Sequence, residues 1–257
     1  MIEIDPRLRQ ASAAREAGRH EEALDLVRAV FADVDGATVP DHANPFMTMF
    51  LWQMLAHEYA PARAALAHTR DAQARRLLAG ERLFGAPVAP GDHAPQRSRF
   101  ALVVEMNEIL ADPAATHALF CALVDTDPGL ARSHAWLALP AIVAVGDFAL
   151  AERYRGDPLA LLEPLTLNAR TLPLLPPPGA APRVAAELMN LVRDVRIGIA
   201  VLDGLGRADE ARALRAALLD GLESEALRAL ALRELAAPGS INDAVVAHQM
   251  AQQGIPG

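Results

Sequence analysis

The sequence predicts an all-α protein: antiparallel helical hairpins stacked as a short α-solenoid, or α-α superhelix, of about a dozen helices. Three observations carry that expectation. Hydrophobic residues make up 52% of the chain but aromatics only 4%, so alanine and leucine dominate. Both are strong helix formers, whereas β-branched residues are sparse. Apolar positions recur at three- and four-residue spacing, and no stretch alternates apolar and polar residues long enough to make a strand.

Taken in order, Asp5-Pro6 opens the first helix, with Asp able to cap free N–H groups and Pro suited to the first helical position. The pair recurs as Asp112-Pro113, Asp127-Pro128 and Asp157-Pro158, marking four helix starts. The first helix ends near Gly18. The second starts at His20-Glu21-Glu22, acid near the positive end of its dipole, with Leu24, Val27, Val30 and Phe31 inward. A loop from Gly36 to Pro45 leads into the stretch around which the chain is organised.

That stretch, Asn44 to Asp71, reads as two helices joined at Ala60-Pro61. Phe46, Met49, Phe50, Met54 and Leu55 are spaced to line one face of the first, and Trp52 and Tyr59 form an aromatic row two turns long. Pro61 fits the first turn of the second helix, whose thin face is Ala62, Ala65 and Leu66. Helix continues to Leu78, with Gly80 as an interruption. Helices are then expected over 99–111, 113–125, 128–145, 148–155, 158–170, 183–205, 208–221, 223–236 and 241–253. Connections of one to three residues within the 99–170 run make neighbours antiparallel. Ser240 with Asp243 resembles a capping box for the last helix, and Gly254 offers its stop. Pro-rich breaks fall near 85–97 and 172–182, the second reading as extended polyproline. The chain is expected to be one domain over 1–257, with the second break as the place where a subdomain boundary would fall.

Charge and composition narrow the function. The 24 basic residues are all arginine, the acidic ones number 32, and the net charge is −8. An acidic chain suits a basic protein partner and not a nucleic-acid backbone. Cys121 is the single cysteine, so no internal disulfide forms, and a reducing compartment is expected. The N-terminus has no apolar signal core, and no run approaches the roughly 20 apolar residues that span a bilayer. A bacterial cytoplasmic location, with no membrane partner, is the expectation.

Two passages look alike, 17–24 (AGRHEEAL) and 205–212 (LGRADEAR), and a third, 145–151 (VGDFALA), keeps the glycine and the alanine five residues later. This resembles the inter-helix turn of tetratricopeptide repeats. The resemblance implies turn glycines at Gly18, Gly146 and Gly206, and close-packing alanines at Ala23, Ala151 and Ala211. It places Ala11, Leu139 and Ile199 in the slot seven residues before each glycine. Trp52, Leu55, Ala56 and Tyr59 are similar to the pattern of a first repeat helix, although Pro61 restarts the chain early and the turns keep no constant period. The family resemblance implies a concave surface that grips a peptide or a folded partner.

Catalytic and metal signatures are few. His57-Glu58 begins like a zinc-protease motif, but Pro61 stands where the second histidine belongs. His117 and Cys121 supply two ligands on one helix face, short of the three or four a metal needs. Cys121, within ALFCALV, reads as an inert buried thiol. Asp125-Thr126-Asp127 starts like a calcium loop, yet Pro128 follows and helix capping accounts for it. Ser133 and His134 are sequence neighbours, expected to point apart. There is no phosphate loop and no nucleophile elbow. No catalytic residue, metal or cofactor is assigned.

The expected function is a non-catalytic protein-binding scaffold or adaptor, with an immunity-type inhibitor of a cationic toxin as a narrower form. Its candidate partner-binding residues are Trp52, His57, Glu58, Tyr59, Arg63 and Arg70, with Trp52 and Tyr59 read as packing between hairpins or as groove anchors. Arg75-Arg76 reads as a solvated surface pair. The alternative is an enzyme or small-ligand binder with a pocket between helices near 46–71.

Overall fold

Asp side chains start three of the helices as the Asp-Pro pairs predict. Asp5 Oδ1 accepts from Arg7 N at 2.9 Å, Asp112 Oδ1 from Ala115 N at 3.1 Å, and Asp127 Oδ1 from Leu130 N at 3.2 Å. The fourth does something else. Asp157 Oδ1 accepts from Leu159 N at 2.9 Å inside a turn, and the helix that follows begins only at Leu162.

The computed structural model describes residues 4–36, 43–85 and 97–254, with side chains from residue 45 onward in the second stretch. Most of the loop expected over 36–45 and of the Pro-rich break near 85–97 lies outside those residues. Among the described residues there are thirteen helices and a single isolated bridge, Leu83 with Ser98. The protein is all-α.

Two compact units divide the chain, Met1–Ala141 and Ile142–Gly257. The division falls within a helix, away from both Pro-rich breaks. The first unit holds α1 (Pro6–Glu16), α2 (His20–Gly36), α3 (Ala43–Glu58), α4 (Ala60–Leu78), α5 (Arg99–Ile109), α6 (Pro113–Thr126) and most of α7 (Pro128–Ala144). Successive helices from α1 to α6 pack on one another. The core shared by α1 to α5 runs from Leu8 and Ala11 through Val27 and Phe31 to Trp52, Leu55, Leu66, Leu102 and Met106. Phe31 stands at its centre, edge-on to Trp52 at 5.5 Å and tilted against Phe84 at 5.3 Å between ring centroids.

The second unit holds the end of α7, then α8 (Phe148–Tyr154), α9 (Leu162–Ala169), α10 (Arg183–Gly204), α11 (Ala208–Gly221), α12 (Glu225–Ala236) and α13 (Ser240–Gln252). Its axis is α10. Val184, Leu188, Leu191, Val195 and Leu202 repeat at helical spacing along one buried stripe, and α8, α9, α11, α12 and α13 all pack against this helix. Gly204 lets Phe148 lie on the helix backbone, since a Cβ there would stand 2.3 Å from the ring. Glu152 in α8 accepts from Arg155 Nη2 and from Arg207 Nη1, each at 3.0 Å, tying α8 to the turn before α11.

Three inter-helix turns share one conformation. Gly18, Gly146 and Gly206 have φ of 75°, 81° and 75°, the left-handed region that suits glycine. After each, the next N–H reaches back five residues: Arg19 to Ala14 O, Asp147 to Ile142 O, Arg207 to Leu202 O. This is the Schellman stop. Ala23, Ala151 and Ala211 are all buried, as are Ala11 and Leu139, while Ile199 is half-buried. Asp112 N bonds Asn107 O in the same way, but the left-handed position there is Ala111, φ 51°.

The last helix starts differently from its predicted box. Its N-cap is Gly239, φ 95°, with no side-chain cap of its own. Glu234, reaching over from α12, accepts from Gly239 N at 2.8 Å, Ile241 N at 2.9 Å and Ser240 Oγ at 3.1 Å. A carboxylate from the preceding helix thus takes up N–H groups at the start of α13, while the two donors a Ser240–Asp243 box would serve, Asp243 N and Ser240 N, go to Gly239 O and Ala237 O.

Candidate interaction surface

α3 has almost no polar face, so apolar spacing alone cannot select which side turns inward. The inward side is Thr48, Met49, Leu51, Trp52, Leu55 and Ala56. Trp52 is 1% exposed, and its indole N–H donates to Ala62 O at 3.1 Å. That bond fixes the rotation of α3 against α4 and carries Phe50, two residues away and about 200° around the helix, to the outside. Phe46 and Phe50 are 64% and 46% exposed, where the apolar spacing predicted a buried face. Their rings stack, with centroids 6.4 Å apart and planes 11° from parallel. Gln53 and His57 continue the outward stripe at the next turns, and Met54 is half-buried beside it.

At the end of that stripe, the α1–α2 and α3–α4 turns meet. Glu58 Oε1 accepts from Arg15 Nη1 at 2.7 Å, and its Oε2 lies 3.9 Å from His20 Nε2. The His20 ring rests on Tyr59, tilted 43° at 5.5 Å. Tyr59 is half-buried and stands at the N-cap of α4 without a side-chain cap bond. His57 is exposed, with Nδ1 at 2.7 Å from Gln53 O. This corner brings together His57, Glu58 and Tyr59 with Arg15 and His20, two residues outside the predicted set.

Arg63 and Arg70 lie elsewhere, turned toward α5 and α6. Arg63 donates to Leu110 O and, at 3.5 Å, to Ile109 O, capping the negative end of α5. Arg70 donates to Asn107 Oδ1, to Asp112 Oδ2 at 3.1 Å and to Asp71 Oδ1 at 2.6 Å. Asn107 in turn donates to Thr116 Oγ1 at 2.9 Å. Both guanidinium groups therefore tie α4 to the α5–α6 junction.

A second concentration of charge sits under α4. Arg99 is 1% exposed and donates to Gln73 Oε1, to Glu81 O at 2.8 Å, to Leu83 O at 2.7 Å and to Asp35 Oδ1 at 3.4 Å. Asp35 also accepts from Gln73 Nε2 at 2.9 Å and from Arg76. Burial pulls the Arg99 pKa below the ordinary arginine value and the Arg76 guanidinium adds to that, while Asp35 and Glu81 oppose them. Donors and acceptors here satisfy one another, so the cluster braces α2, α4 and α5 rather than offering groups to a ligand. Arg76, expected as half of a solvated pair, belongs to it; Arg75 is exposed.

The remaining chemical candidates stay local. Cys121 is half-buried rather than sealed in the core, with Sγ 3.5 Å from His117 Nε2. Ser133 and His134 do meet, at 2.8 Å between Oγ and Nδ1. Ser133 Oγ is also 2.9 Å from Leu130 O, and a carbonyl only accepts, so the hydroxyl donates there and receives the imidazole N–H. That arrangement is the reverse of a histidine acting as base. Among the described residues no three His, Cys, Asp or Glu side chains are grouped to hold a metal, and no helix is long and apolar enough to cross a membrane.

Fold and surface together define a protein of helical hairpins that carries an outward aromatic pair on α3. Compared with protein-family models, curated proteins and solved structures, the chain matches none.

Proposed function

We propose that the chain is a non-catalytic scaffold of a bacterial cytoplasm that holds another protein against α3. The observation that carries this is the stacked, outward Phe46–Phe50 pair. Exposed aromatic area on a rigid helix is costly to leave in water and favourable to cover, and such patches mark protein-binding surfaces. Gln53, His57 and Glu58 on the same helix, with Tyr59 just past its end, supply a polar rim. Trp52, Arg63 and Arg70 hold α3 and α4 in place behind it. The turns similar to those of tetratricopeptide repeats support a stacked array that grips its partner. The net charge of −8 favours a basic partner, because complementary charge speeds capture; an immunity-type inhibitor of a cationic toxin is the narrower form of the reading.

The test is affinity capture from native host lysate, wild type beside Phe46→Glu/Phe50→Glu, with mass spectrometry and circular dichroism. Both positions are exposed, so the fold is expected to survive the change. A stoichiometric partner held by the wild type and lost by the folded variant supports the reading. A partner held equally by both removes it from α3, and an empty wild-type capture overturns the scaffold. For the narrower form, co-expression with a neighbouring toxin gene is expected to restore growth.

A further inference from the structure

We draw no further inference here: the strongest candidate, the outward Phe46–Phe50 pair on α3 of the first unit, belongs to the surface already proposed for a partner, and nothing in the structure shows what covers it.

Discussion

The indole N–H of Trp52 donates to the carbonyl of Ala62 across the α3–α4 turn, 3.1 Å away and out of contact with solvent. One residue thus sets both the packing and the rotation of the helix that carries the outward pair. Trp52→Phe keeps most of the apolar contact and loses the bond, which is expected to cost about 1–2 kcal/mol. Trp52→Ala also opens a cavity and is expected to cost about 3–5 kcal/mol. Phe46→Ala, on the exposed side, is expected to change stability by less than about 0.5 kcal/mol. Urea midpoints of the three variants check the order; a Trp52→Ala loss no larger than that of Phe46→Ala would refute the assignment of faces.

Arg99 is the cation on which α2, α4 and α5 converge. Replacing it by methionine removes one of the three donors to Asp35, leaving Gln73 and Arg76, and strands the carbonyls of Glu81 and Leu83. The expected loss is about 3–5 kcal/mol. Lysine does not rescue it, because one ammonium cannot reproduce a planar fork spread over four acceptors. Thermal unfolding of Arg99→Met and Arg99→Lys checks this, and near-native stability of the lysine variant would contradict it.

Ala111 occupies a backbone position that Gly18, Gly80, Gly146 and Gly206 fill at the ends of other helices. Its Cβ is strained at φ 51°, so Ala111→Gly is expected to stabilise the protein by about 0.5–1 kcal/mol. Gly18→Ala makes the opposite change at φ 75° and is expected to cost about 1 kcal/mol. Chemical denaturation of the pair is decisive: two shifts of the same sign would leave the turn geometry without energetic weight.

Glu234 makes the stability of α13 depend on acid. Burial works to raise its pKa, but donation from Gly239 N, Ile241 N and Ser240 Oγ outweighs that, and the carboxyl lies below its ordinary value. A carboxylate depressed in the folded state contributes fully above its unfolded pKa, about 4.3, and the contribution is lost as pH falls through the folded value. Glu234→Gln is therefore expected to be less stable at pH 7 by about 1–2 kcal/mol, with the gap shrinking from pH 4 downward. Urea titrations at pH 7 and pH 3 measure it, and an equal gap at both would mean that the charge has no part in the cap.

Much of the fold was legible because its signals are local. Asp5, Asp112 and Asp127 act through donors two or three residues away, and Gly18, Gly146 and Gly206 through their own φ. The cap of α13 escaped because Glu234 sits six residues before Ser240, in another helix, where spacing rules do not reach. The faces of α3 escaped for a different reason. A helix apolar on every side carries no periodic contrast, and the contact that breaks the tie, Trp52 with Ala62, is tertiary. Arg63 and Arg70 read as handles for a partner, and Arg76 as half of a solvated pair, because the groups that turn them inward, Leu110, Asn107 and Asp35, lie 47, 37 and 41 residues away in the sequence. The Phe46–Phe50 stripe could have been found as an i, i+4, i+7, i+11 series ending at Gln53 and His57, had the rotation of α3 been known.

The ion pairs that brace both units, Asp35 with Arg76 and Glu152 with Arg207 among them, are built from guanidinium groups, since these 257 residues contain no lysine. A lysine ammonium gives up its proton near pH 10.4, about two pH units or more before an arginine does. Alkali that would dissolve lysine pairs leaves these charged. Acyl transfer to side-chain amines, by which a cell commonly erases positive charge, finds no side chain here to act on.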